Sequence, residues 1–82
     1  MHAGPGPIFR GKSIAVDYSL GVRNPRILHA QIHGLVRRME DGWAKEDELL
    51  LRIHELVAEH DGLVARLVSR TPETIQFAIT RQ

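Results

Sequence analysis

The C-terminal third of the chain alternates twice between apolar and other residues, and this constrains the fold more than any other feature. Leu63, Ala65 and Leu67 alternate with Val64, Arg66 and Val68; after Thr71-Pro72-Glu73, Ile75, Phe77 and Ile79 alternate with Gln76, Ala78 and Thr80. A period of two places successive side chains on opposite faces of a strand. Two such runs around a short proline-containing turn read as a β-hairpin. One face of that hairpin is strongly apolar, so another part of the chain must cover it.

The cover is legible upstream. Ile14, Val16, Tyr18 and Leu20 alternate with Ala15, Asp17 and Ser19, which predicts a strand from Ser13 that Gly21 ends. Asn24 then reads as a helix N-cap with Pro25 at the first helical position. Leu28, Ile32, Leu35, Val36 and Met39 share one stripe of that helix, and Asp41-Gly42 stops it. A second helix is expected from Trp43 or Ala44 to His60, with Leu49, Ile53, Leu56 and Val57 as its core stripe and Leu50 and Trp43 at the margin. Glu46, Asp47 and Glu48 lie in its first turn, where the helix dipole favours negative charge. Asp61-Gly62 closes it. The predicted order is β-α-α-β-β: an α+β fold in which a helical pair packs on a small antiparallel sheet of three strands. Residues 13–82 form that single domain, and residues 1–12, rich in Gly and Pro, are expected to be a flexible basic arm.

With 82 residues and no cysteine, the chain has neither a disulfide framework nor a thiolate metal site, so helix packing or self-association must supply extra stability. No apolar run is long enough for a membrane span, and the first residues lack the apolar core of a secretory signal; a cytoplasmic setting is expected. Charge is unevenly spread. Residues 1–38 carry Arg10, Lys12, Arg23, Arg26, Arg37 and Arg38 against Asp17 alone, whereas the remainder is acidic and the whole chain is only +1.

Residues 6–13, GPIFRGKS, satisfy the phosphate-loop pattern G-x-x-x-x-G-K-[ST]. That loop works by following a buried strand and opening a helix whose N-terminus meets the phosphates. Here nothing before Gly6 leaves room for the strand, and Ser13 opens a strand instead of a helix. The segment is therefore read as an arm carrying Arg10 and Lys12 beside Ile8 and Phe9, able to dock on its own sheet or on a partner. His29 and His33 have a spacing that can hold a metal, but HAQIH lacks the zinc-protease Glu. Arg26 and Arg37 flank the pair and repel a dication. No metal or cofactor is expected. The cluster Arg26, His29, His33 and Arg37 suits an anionic partner instead, more so below about pH 6.5, where a free imidazole gains charge. His60, at the end of the second helix, is expected to pack or to meet the helix dipole. Ser13, Ser19 and Ser69 form no local nucleophile-base motif, so no enzyme is expected.

Two binding readings follow. In the first, Arg10, Lys12, Arg26, His29, His33, Arg37 and Arg38 contact a protein with an acidic surface. The second helix would present Glu48, Glu55 and Glu59 with Leu51, and Leu50, Leu51 and Ala58 would bring two copies together as a homodimer. In the second, the α-α-β-β order resembles the back half of a winged helix. That resemblance implies a nucleic-acid-binding regulator whose hairpin is the wing, with Arg66 and Arg70 meeting phosphates. The stretch AKEDELLLRIHELVAEH is acidic where a groove-reading helix should be basic, so under this reading the arm and the first helix are the DNA-facing surface.

Overall fold

Ile75, Phe77 and Ile79 are fully buried, and the strand that carries them lies inside the sheet rather than at its edge. The computed structural model describes residues 6–82; residues 1–5 of the expected arm lie outside the described residues. Its elements are β1 (Ile8–Phe9), β2 (Lys12–Tyr18), α1 (Pro25–Asp41), α2 (Glu46–Ala58), β3 (Leu63–Arg70) and β4 (Thr74–Arg81). The two helices pack on one face of a four-stranded sheet of order β1-β2-β4-β3. This is the α+β fold with a C-terminal hairpin that the sequence predicts.

The sheet differs from the expectation in being mixed. β3 and β4 pair antiparallel, but β2 and β4 pair parallel, from Ser13↔Thr74 to Tyr18↔Ile79. With each element reversing the direction of the last, β3 runs against β2 and β4 runs with it. An all-antiparallel sheet would need β3 at the centre. β4 takes that place because it carries three large, fully buried side chains, whereas β3 buries only Ala65 and exposes Val64, Arg66, Val68 and Arg70. The turn between them is tied by Thr71, whose Oγ1 accepts from the Thr74 N–H at 3.0 Å.

The fourth strand comes from the arm. β1 pairs antiparallel with β2 through Ile8↔Ser13 and Phe9↔Lys12, leaving Arg10-Gly11 as a two-residue loop. Both loop residues have positive φ, 51° and 84°, the pattern of a type I′ hairpin turn, in which Gly is favoured. Gly6 serves a different purpose: a Cβ there would stand 2.0 Å from the carbonyl oxygen of Ile14. That close approach lets Ile14 N–H donate to Pro7 O at 2.9 Å. Residues 8–12 thus belong to the sheet, and Phe9 is fully buried beneath α1. Both glycines of the phosphate-loop pattern are accounted for by hairpin geometry.

Two element ends move. β2 stops at Tyr18, and Leu20, expected to face inward, is fully exposed. The Val22 N–H donates to Ser19 O at 3.1 Å and closes a turn, so Val22 takes the buried position. Asn24 precedes Pro25 as expected, but its side chain makes no capping bond. α2 begins at Glu46, which leaves Trp43 in the loop instead of at the margin of the core.

Tyr18 faces the core side of β2, and its hydroxyl is buried without a hydrogen-bond partner among the described residues. Burial pushes the phenol up to about 12 from its ordinary 10.0. The folded state therefore holds this proton more tightly than the unfolded chain does. Its contribution is complete below about pH 10 and is lost as pH rises towards about 12. Because Tyr18 is the single tyrosine, tyrosinate absorbance should titrate near 12 in the native protein and near 10 in denaturant. Tyr18→Phe should remove that part of the alkaline loss of stability.

Candidate functional site

The cations the sequence nominates divide into those tied into the fold and those left free. Lys12 Nζ lies 2.8 Å from Glu46 Oε1. Arg70 bridges Glu46 Oε2 at 2.5 Å and Asp47 Oδ1 at 2.6 Å. These bonds clamp β2 and β3 to the first turn of α2, where acidic groups already face the positive end of the helix dipole. The Lys12 ammonium foremost, with Arg70, holds the Glu46 carboxyl below its usual range, against an opposing effect of partial burial. Arg10 is also engaged: its backbone N–H donates to both Glu40 carboxylate oxygens at 2.9 Å, and its guanidinium Nη2 donates to Ala44 O at 2.8 Å. Its guanidinium carbon stands 5.4 Å from the Phe9 ring centroid.

Arg26, Arg37 and Arg38 are exposed on α1 and make no ion pair or side-chain hydrogen bond among the described residues. His29 and His33 are half-buried, with ring centroids 6.2 Å apart. Helical spacing aligns Arg26, His29, His33 and Arg37 along one ridge. Among the described residues no group of three or more His, Asp or Glu side chains could hold a metal ion. His54 is turned elsewhere: its Nδ1 bonds to Leu50 O at 2.7 Å and its ring meets the Phe77 ring edge-on. His60 Nε2 pairs with Gln31 Oε1 at 2.7 Å, joining the end of α2 to α1.

Between the two helices, at the end where the chain reverses, lies an open groove of about 530 Å³. Leu35 and Met39 of α1 and Ala44 of the loop give it apolar walls; Arg38, Arg52 and Glu48 line it as well. Trp43 stands at its side 99 % exposed. Sequence periodicity misplaced Trp43 by extending α2 too far forward. The usable signal was the run Glu46-Asp47-Glu48: a helix whose first turn holds those acids starts after Lys45 and leaves Trp43 outside it.

The proposed self-association residues separate. Leu50 is only 8 % exposed and belongs to the core, so it is no surface contact; it lies next to Ile53 and Leu49 on the buried side of α2. Leu51, 57 % exposed, and Ala58 do lie outward. The wing arginines also part company. β3 has a register shift between Leu67 and Ser69, and this bulge inverts the alternation beyond it. Arg66 pairs with Ala78 on the uncovered face of the sheet, whereas Arg70 pairs with Ile75 and turns to the helix side. They do not form one phosphate-facing surface.

No helix among the described residues is long and apolar enough to cross a membrane. Compared with protein-family models, curated proteins and solved structures, the chain matches none.

Proposed function

We propose that this chain is a small non-catalytic interaction module that binds, and so regulates, a protein with an acidic surface. The observation that carries the reading is Trp43, fully exposed beside a part-apolar groove whose lining includes Arg38 and Arg52, which make no ion pair among the described residues. Trp and Arg dominate the energetics of protein interfaces because each combines a large contact area with a directional polar group. The partner segment is an amphipathic one: apolar side chains enter between Leu35 and Met39, and carboxylates meet Arg38 and Arg52. Arg26, His29, His33 and Arg37 extend the positive surface along α1. Glu55 and Glu59, exposed on α2 beside Leu51, form a second surface of opposite sign, while Glu48 belongs to the groove lining with Arg38 and Arg52. A cytoplasmic setting is part of this proposal.

Trp43 is the single tryptophan, so its emission reports on the groove directly. A synthetic helical peptide of leucine and glutamate should shift that emission to shorter wavelength and saturate. The same peptide with lysine in place of glutamate should not. Random duplex DNA at two salt concentrations is the competing case. DNA binding that weakens steeply with salt, with both peptides inert, would replace this reading with the nucleic-acid one.

A further inference from the structure

We propose that the uncovered face of the sheet is where two copies of this chain meet. This surface lies on the side of the sheet away from the helices and the Trp43 groove, so it stands or falls independently of the function proposed above. Three observations carry it. First, β2 and β4 are a parallel pair, and parallel strands are usually covered on both faces, yet the described residues cover only one of them. Second, Ala15 on β2 and Ala78 on β4 are small positions on that face, and Gln76 beside Ala15 has its side-chain amide tied back to Asp17.

The third observation selects the occupant. The pairing register puts Asp17, Ala78 and Arg66 in one row across β2, β4 and β3. The row is negative at one end, positive at the other and minimal in the centre. A two-fold axis lying along β4 between two stacked sheets exchanges the β2 and β3 positions. It sets Arg66 against Asp17 of the second copy, twice, with Ala78 against its own counterpart. An isologous interface must be self-complementary in this way. Asp17 is already oriented, accepting a 2.7 Å bond from Gln76 Nε2, and Arg66 makes no ion pair among the described residues. Val64 and Val68, 40 % and 48 % exposed, add apolar margin on β3.

Strand spacing gives a face of about 300 Å² per copy, well short of the roughly 800 Å² each partner contributes to a standard interface. The dimer is accordingly weak, and it forms at high micromolar concentration.

Light scattering and sedimentation across that range test it, with wild type expected to approach a dimer mass. Asp17→Arg, or Arg66→Asp as the second variant, sets like charges together and should weaken association at least ~10-fold. The double swap Asp17→Arg/Arg66→Asp restores both pairs and should return the dissociation constant to within ~3-fold of wild type. Leu51→Glu, on the outer side of α2, should leave the dimer intact. The proposal is overturned by a monomer mass at every concentration. It is equally overturned by a dimer that Leu51→Glu abolishes, or by folded reversal variants that the double swap fails to rescue. A monomer whose Arg66 instead binds duplex DNA would also overturn it.

Discussion

Phe9→Ala should destabilise the protein by about 3–5 kcal/mol, the cost of emptying a fully buried aromatic site. A domain of 82 residues has roughly 4–12 kcal/mol in all, so the variant should lose from about a quarter to all of its stability. The reasoning runs through the hairpin. Phe9 is held in register opposite Lys12, Gly6 permits the strand to approach Ile14, and the Arg10-Gly11 turn aims the ring under α1. Lys12→Ala, by contrast, removes one partly exposed ion pair and should cost no more than about 1 kcal/mol. Urea denaturation of the two variants side by side gives the comparison. A phosphate loop would reverse the emphasis, with Lys12 carrying ligand binding and Phe9 an incidental spacer. A Phe9→Ala midpoint close to that of wild type would mean that β1 does not belong to the cooperative core.

Trp43→Ala has the opposite signature. With 99 % of its surface exposed, Trp43 contributes little to folding, and its removal should leave stability within about 0.5 kcal/mol of wild type. Binding of the leucine-glutamate peptide should nevertheless weaken by about 2 kcal/mol or more, roughly thirtyfold, as for a central interface tryptophan. Arg38→Glu should act in the same direction, since it places a like charge against the peptide's carboxylates. Calorimetric titration provides the affinity and thermal unfolding provides the control. A Trp43→Ala protein that binds as well as wild type would remove the groove from the account and leave only the ridge of α1.

Local periodicity revealed the core with little ambiguity. Leu28, Ile32 and Val36, then Leu49, Ile53 and Val57, then Ile75, Phe77 and Ile79 are all buried, because each set repeats at the period of its own element. What periodicity could not convey was competition between distant segments. Both β3 and β4 alternate well, and only their relative apolar content decides which pairs with β2 and makes that pairing parallel. Composition misled at the arm: glycines that suggest flexibility here serve one turn and one close contact. The candidate site was legible only in part. Arg37 and Arg38 stood out as unbalanced charges, but Arg10, Lys12 and Arg70 gained intramolecular partners that lie 23 to 34 positions away in sequence, and no local pattern announces them. The Val68 bulge is the sharpest case. One extra residue turned Arg70 from the face it would share with Arg66 towards Glu46 and Asp47.

Seating of an acidic amphipathic partner against the groove beside Trp43 is tested by amide chemical-shift mapping. The isotope-labelled protein is titrated with the leucine-glutamate peptide while the backbone signals of every element are followed. The predicted footprint is residues 35–44 and 48–52, with a weaker extension along residues 26–37. Shifts confined to β3 and the uncovered sheet face, or a peptide that moves nothing while duplex DNA does, would contradict it.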